Sequence, residues 1–392
     1  MQDRAEHVLP GRQDARALLI IIAALTIVGL AMIYSSGAVV AERSTRFGSD
    51  RYLFLRRQAI WTCLGALAMM ATASIPYRFW HRVRFPLLAI SFALLAAVYV
   101  PGIGLALNGE HRWIRLGPYQ MQPSEVCRLT LAIALCAAVA RGMEQWRRFL
   151  PWAAVILASA GLVLFQRDVG SAVVLAALLS SILFVGGARL RHILLTGAAA
   201  LALVAGAIVW AFPHARERIA AYLGASASYQ VDQSIQAIGA GGLFGDGLGA
   251  GRAKLFYLPE AQSDFIFAAY AEELGFLGAG ALILLYAALL GVGLRVFRRC
   301  ADPFGRTLSF AIVASITLGA FVNIGVATGA LPAKGIPLPF VSYGGSSLLV
   351  SMASIGILMN VATDETVDQR RRDGGTPDAG DCAGAGVAPA QL

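Results

Sequence analysis

Lysine is nearly missing from this chain: Lys254 and Lys334 are the only two, so its positive charge rests on arginine. Charge of either sign is scarce, at 14% of residues against 57% hydrophobic. That ratio excludes a soluble globule, whose surface needs far more charge, and marks a polytopic membrane protein. Cysteine is sparse as well. Cys63, Cys127, Cys136, Cys300 and Cys382 show neither metal-ligand nor disulfide spacing, and three fall inside apolar runs, so they read as packing residues. Residues 1–16 are too hydrophilic for a signal peptide. The net charge of +9 comes with no nucleic-acid motif, and no nucleic acid is expected as a partner. It fits basic cytoplasmic loops, an anionic substrate, or both.

What the chain has in abundance is apolar runs. They predict an all-α protein of about ten membrane helices: Ala17–Ser36, Ile60–Ala73, Pro86–Val100, Pro123–Val139, Leu150–Phe165, Val169–Gly186, His192–Phe212, Asp264–Leu294, Thr307–Thr328 and Ser342–Val361. Each is near the ~20 residues that a bilayer requires. The membrane domain is 17–362, with a polar tail before it. A large loop at 213–263 separates the seventh and eighth helices. The Gly-, Ala-, Asp- and Pro-rich residues after 363 read as a disordered tail. With both termini cytoplasmic, inner segments hold 18 Lys and Arg against 13 outside, four of those in the long loop, which counts little.

That orientation gathers the unusual chemistry on the outer side. Lys254 to Gly275 carries four carboxylates, Glu260, Asp264, Glu272 and Glu273, where a carboxylate is expensive. Ser263 or Asp264 reads as the N-cap of the eighth helix. Glu272 then lies about 80° around from Asp264 and roughly 12 Å deeper, with Glu273 facing nearly the opposite way. Asp264 and Glu272 could line one cavity but not pinch one bond. Two readings stay open for Asp264: a capping residue, or a carboxylate that meets a polar substrate.

Seven glycines fall in the thirteen residues from Gly239 to Gly251. Such backbone can approach a ligand closely and offer N–H groups to an anion, a reading strengthened by Arg252 and Lys254 just beyond. Gln230, Gln233 and Gln236 suggest a short helix with a polar face on the membrane surface. Gln122-Pro123-Ser124-Glu125 looks like a helix start, with Glu125 and Arg128 spaced to pair. Arg112, Trp113 and Arg115 place an aromatic between two guanidiniums, as an interfacial anchor or as a grip on a phosphate and a sugar face. Asp168 either caps the sixth helix or lines the same cavity as Asp264. From Asn323 to Ser347, Pro332, Pro337 and Pro339 with Gly335, Gly344 and Gly345 forbid a regular helix. Irregular backbone at membrane depth must be covered by protein or line a cavity, so this stretch is expected to wall a polar site, with Lys334 as its one charge.

Together the pieces N-G-x-x-R-W-I, Q-P-S-E, G-x-G-G-L-F-G-x-G-L-G, L-P-E-x-x-x-D-F-I-F-A, E-E-L-G and G-I-P-L-P-F-V-S-Y-G-G-S-S resemble the SEDS family (shape, elongation, division and sporulation). The resemblance covers nearly the whole chain between its tails. M-I-Y-S-S-G, R-Y-L-F-L-R-R-Q-A-I-W and K-L-F-Y-L-P-E-A are more similar to the division branch, while G-I-P-L-P is as much an elongation or sporulation form.

The resemblance implies a peptidoglycan glycosyltransferase that polymerises lipid II at the outer face of the cytoplasmic membrane. It would work beside a class B penicillin-binding protein and other divisome membrane proteins, among membrane lipid at the septum. The family's essential carboxylate falls on Asp264, which would act as base on the acceptor hydroxyl. Arg252, Lys254, Glu260, Arg112, Lys334 and Ser342 are the candidates for holding substrate; Glu125, Arg128, Asp168, Glu272 and Glu273 line or brace the cavity. No protein metal site is legible, though a divalent cation, Mg or Mn, is plausible on the substrate's pyrophosphate. Gln262-Ser263-Asp264-Phe265 departs from the family's H-T-D-F, so an adjacent imidazole is absent. Gln166-Arg167-Asp168 departs from Q-P-D, and Arg128 replaces a lysine. The competing readings are a transporter that flips lipid II, which buried charges and a broken helix would serve, and a scaffold that only activates a synthase.

Overall fold

A computed structural model describes residues 10–43, 50–107, 110–117, 119–210, 229–251 and 261–364. Twelve helices and three strands follow in order among them: α1 (Pro10–Arg43), α2 (Leu53–Ser74), α3 (Arg78–Arg82), α4 (Arg84–Ala97), β1 (Gly104–Leu107), β2 (Glu110–Leu116), β3 (Tyr119–Met121), α5 (Pro123–Val139), α6 (Trp146–Phe165), α7 (Val169–Val185), α8 (Leu190–Trp210), α9 (Tyr229–Ala240), α10 (Ile266–Arg299), α11 (Pro303–Ala327) and α12 (Gly345–Thr363). Six of them, α1, α6, α8, α10, α11 and α12, are long and apolar enough to cross a membrane, and α4 and α7 are shorter apolar helices. The chain is an integral membrane protein, mostly helical.

Packing explains which helices sit inside. α5 is buried along almost its whole length, and its neighbours are α4, α7, α11 and α12. α8, by contrast, keeps Leu194, Leu195, Leu201 and Trp210 exposed, as a lipid-facing helix does. α12 lies along α2 at very short range. A Cβ on Gly65 would meet the Met352 sulfur at 2.5 Å, and one on Gly345 would meet Trp61 at 2.2 Å. Small residues permit that approach, and Thr72 secures it by donating across to the Ala353 carbonyl at 2.8 Å. At the ends of the bundle away from the strands, the buried Asp14 of α1 accepts from Arg299 at 2.5 Å and faces Arg295 at 3.4 Å, both on α10.

Two sequence expectations are corrected. The first is the all-α class: β1, β2 and β3 form a three-stranded antiparallel sheet between α4 and α5. The register pairs Gly104 with Ile114 and Ile114 with Met121, with an irregularity after Leu105. A strand sends alternate side chains to opposite faces. Ile114, on the face of Arg112, is buried, whereas His111 and Arg115 are exposed. Arg112 is thereby parted from Trp113 and Arg115, and the three do not act as one grip. The second is the start and continuity of the eighth span. α10 begins at Ile266, and Phe265, not Ser263 or Asp264, is its capping position, without a side-chain cap. The helix also breaks at Gly275, whose φ of 68° and ψ of −169° are non-helical. Because Asp264 precedes the helix, its angular comparison with Glu272 fails; the break at Gly275 lies beyond both.

Candidate active site

The turn of residues 261–265 that carries Asp264 is sewn to the proline- and glycine-rich segment before α12. The Gln262 carbonyl accepts from the Tyr343 backbone at 3.0 Å. The Ser263 carbonyl accepts from the Ser342 hydroxyl at 2.5 Å, and that hydroxyl accepts in turn from the Leu338 backbone at 2.8 Å. Asn323, buried on α11, donates its amide both to the Asp264 carbonyl at 2.8 Å and to the Ile336 carbonyl at 2.7 Å. Pro339 cannot donate a backbone hydrogen bond, but its carbonyl takes one from the Tyr286 hydroxyl at 2.5 Å. The irregular stretch is shorter than expected, lying between Ala327 and Gly345, and only its later part is buried, with Leu338, Phe340, Val341 and Ser342 almost inaccessible. Ser342, expected to hold substrate, has its hydroxyl engaged on both sides and braces the Asp264 turn.

Asp264 itself is half-buried. Gly335 lies directly against its carboxylate: a Cβ there would come within 2.3 Å of Oδ2. The preceding residue, Lys334, reaches the other way and pairs with Asp168 at 2.7 Å. Asp168 meets the capping reading. As N-cap of α7 it accepts from the Ser171 backbone at 3.1 Å and from the Ser171 hydroxyl at 2.8 Å. It also gathers Lys334, the Gln122 amide at 3.3 Å and the Arg112 guanidinium at 3.9 Å. Burial alone would push this carboxyl up, but the charges of Lys334 and Arg112 and the bonds from Lys334 and Ser171 outweigh it and hold it down at about 2. Arg112 also donates to the Arg167 carbonyl at 2.8 Å, where Arg167 has a positive φ of 60°.

Glu125 and Arg128 pair at 2.5 Å in the first turns of α5, as their spacing predicts, and both are largely buried. They line a small cavity with Gln122, Ser171, Gly335 and Ile336. That cavity joins α5, α7 and the segment whose Gly335 lies against Asp264. Glu272 and Glu273 do other work. The Glu273 carboxylate accepts from Ser35 of α1 at 2.5 Å and from the Gly249 backbone at 2.9 Å. Their backbone carbonyls accept from Asp246 at 3.1 Å and Gly247 at 3.0 Å. Several glycine-loop amides read as anion donors are therefore spent on α10. Arg252, Lys254 and Glu260 lie outside the described residues. Among the described residues, no three His, Cys, Asp or Glu side chains converge as metal ligands.

The parts that sequence reading missed are Asn323, Gly335 as the neighbour of Asp264, and Gln122. A lone Asn inside an apolar span carried a signal, because an amide placed there must find partners. Gly335 carried none, since its closeness to Asp264 arises only when two distant segments meet.

Apolar helices closing over a half-buried carboxylate and a ring of buried ion pairs define an integral membrane protein with a polar site set among its helix ends. The chain belongs to the FtsW, RodA and SpoVE family of cell cycle proteins, whose model matches residues 16–367. It is 40% identical over 354 residues to a probable peptidoglycan glycosyltransferase FtsW of Trichlorobacter lovleyi, covering 88% of this chain and 92% of the relative. It is 36% identical over 354 residues to the stage V sporulation protein E of Bacillus subtilis, covering 88% and 96%. Among solved structures, it matches a chain of a peptidoglycan synthase complex that coordinates polymerization and crosslinking. There the TM-score is 0.71 and the identity 30%, over 88% of this chain and 97% of that one. The rod shape determining protein RodA of Thermus thermophilus matches with a TM-score of 0.66 and 29% identity, over 88% and 96%.

Proposed function

We propose that this chain is a peptidoglycan glycosyltransferase of the FtsW type, polymerising lipid II at the outer face of the cytoplasmic membrane for septal wall synthesis. Ten membrane helices, α1, α2, α4 to α8 and α10 to α12, form a domain over 17–362. Both termini are cytoplasmic, and the 213–263 loop is outside. A class B penicillin-binding protein crosslinks the product, and other divisome proteins and membrane lipid surround the pair.

The observation that carries this reading is the mounting of Asp264: a half-buried carboxylate on a turn whose three successive carbonyls are each held by a different residue. Preorganised backbone fixes where a base points, and a base must lie within hydrogen-bond reach of the proton it takes. In the reaction, the acceptor's 4-hydroxyl oxygen attacks the donor's anomeric carbon from the face opposite the pyrophosphate. The carbon–oxygen bond to pyrophosphate breaks, its electron pair leaves with undecaprenyl pyrophosphate, and the hydroxyl proton goes to Asp264. The anomeric centre inverts. Lys334 and Arg112 stand nearby and share one carboxylate, Asp168, so this cluster keeps one net positive charge for the leaving group beside Arg252 and Lys254. A magnesium or manganese ion would enter on the pyrophosphate.

The test is polymerisation of labelled lipid II by the purified chain with its class B partner. Asp264→Asn, folded and still bound to the partner, is expected to lose about 10²-fold or more in rate, the scale of a general base. Equal product from both proteins would take Asp264 out of the chemistry. No product from either, beside a partner competent in transpeptidation, would turn the reading to lipid II transport.

A further inference from the structure

The break in α10 is filled by the glycine loop. At Gly275 the helical ladder stops, and the N–H groups of Phe276 and Leu277 donate instead to the carbonyls of Gly242 at 2.8 Å and Leu243 at 3.2 Å. On the other side of the break, the carbonyls of Glu272 and Glu273 accept from Asp246 and Gly247. Backbone polar groups opened by a broken membrane helix must find partners, and here one loop supplies both donors and acceptors. Its side chains, however, point away from the protein. Phe244 is 76% exposed and Leu248 65%, beside Phe276 at 71% and Leu277 at 54%. Leu243 is exposed as well, giving five large apolar side chains around one break.

Their depth follows from the rest of α10. From Phe276 to Leu294 the helix runs about 28 Å at 1.5 Å per residue, close to the ~30 Å of a bilayer's hydrocarbon. Its far end is marked by Arg295 and Arg299, anchored to Asp14 beside the first helix's start. Phe276 and Leu277 then fall at the opposite hydrocarbon boundary, and the loop bonded to them falls there too. The exposed stripe continues down α10 through Ile283, Leu284 and Leu290, so the loop tip prolongs a lipid-facing surface. Asp246, the one charged residue between Gly239 and Gly251, is exposed and keeps the tip from going deeper.

We propose that residues 243–248 insert Leu243, Phe244 and Leu248 into the headgroup–acyl boundary of the outer leaflet, making the loop an interfacial membrane anchor rather than an aqueous one. Large apolar and aromatic side chains with few charges are what such a boundary selects. The loop leads directly to Gly249 and Gly251, which contact Glu273 and Glu272, and then to the chain before Asp264. Anchoring it sets Gly249 and Gly251 near headgroup depth, where the pyrophosphate of a lipid-linked substrate lies. The choice of leaflet rests on the orientation proposed above; insertion itself rests on neither orientation nor activity.

The test places p-benzoylphenylalanine at position 244 of the full chain, reconstituted in phosphatidylethanolamine and phosphatidylglycerol vesicles with the class B partner. Position 284 on the exposed face of α10 and position 232 on α9 serve as comparisons, and folding is checked by size exclusion. Irradiation at 244 is expected to give acyl-chain adducts within about threefold of the yield at 284 and about tenfold above that at 232, as burial at the acyl boundary requires. A yield at 244 no higher than at 232 would overturn the proposal. So would a dominant crosslink from 244 to the partner's membrane segment, which would make this face a protein interface. Lipid adducts at 244 in a chain that polymerises nothing would uphold the anchor while sinking the polymerase reading.

Discussion

Gly335 stands where any side chain would strike the proposed base. Its absent Cβ would sit 2.3 Å from Asp264 Oδ2 and 2.9 Å from Cγ, and the only relief is rotation of the Asp264 side chain. Gly335→Ala is therefore expected to move the carboxylate, lowering polymerisation at least about tenfold, or about 1.4 kcal/mol in the barrier. The thermal midpoint should change little, because nothing else is crowded. Wild-type activity in Gly335→Ala would show that the position of this carboxylate does not matter. Asp168 makes the opposite kind of claim, one about stability. Its carboxyl is held at about 2, below its ordinary 3.8, so folding favours the ionised, paired form. That stabilisation, about 2 kcal/mol, is complete above about pH 4 and fades as acid titrates the group through about 2. Asp168→Asn, leaving Lys334 and Arg112 without their carboxylate, is expected to melt earlier than wild type at pH 7. The gap should stay constant from pH 5 to 8 and narrow below about pH 4. A gap that changed between pH 6 and 8 would implicate a different titrating group.

At the scale of elements, α10 and the glycine loop behave as one unit joined at Gly275. A residue with φ of +68° and ψ near 180° occupies backbone space open almost only to glycine. A Cβ there would also meet the Gly245 nitrogen at 2.3 Å and the Leu243 carbonyl carbon at 2.6 Å, both backbone atoms with nowhere to go. Gly275→Ala is expected to destabilise by about 3 kcal/mol, whereas Gly280→Ala, with nothing nearby, should be neutral or slightly stabilising. Melting in detergent compares the two, and equal midpoints would mean that the loop does not seat in the break. This joint also marks what the sequence could reveal. α5 was located to the residue, because Gln122-Pro123-Ser124-Glu125 marks its start and the apolar run ends at Val139. The Glu125–Arg128 pair was readable from spacing within one helix. The sheet was not read, since four- and seven-residue strands among polar residues carry too little alternation beside ten long apolar runs. The broken α10 was read as continuous because a single Gly in an apolar helix is usually tolerated; only the distant loop makes it a break. Asp264 stands out in the sequence as a carboxylate needing a reason, but its neighbours come from α11 and the segment before α12, which no local pattern links to it.

The whole molecule biases its positive charge toward one end. Arg82, Arg84, Arg141, Arg147, Arg148, Arg189, Arg191, Arg298 and Arg306 lie in or beside the turns that share an end with the start of α1, while the Asp264 turn, the sheet and the glycine loop lie at the other. An excess of arginine on one side favours the cytoplasm, so the orientation proposed above has the first end inside and the site outside. In a Cys382→Ser background, the four native thiols among the described residues leave this open to direct measurement with a membrane-impermeant maleimide. Cys127, Cys136 and Cys300 are buried, and burial, the largest influence on Cys300 at its turn, pushes that thiol up to about 12, far from the reactive thiolate. Cys63 is exposed, yet on the apolar helix α2, where an aqueous reagent does not reach. A new thiol at Asp232, exposed on α9, is expected to label in intact spheroplasts, and one at Glu144, exposed between α5 and α6, only after permeabilisation. The reverse pattern would turn the molecule over and carry Asp264 to the cytoplasmic face, where the lipid-linked donor is made but no wall is built. Labelling at both positions in intact spheroplasts would mean that the chain does not hold one orientation, and arginine asymmetry would no longer account for where its site faces.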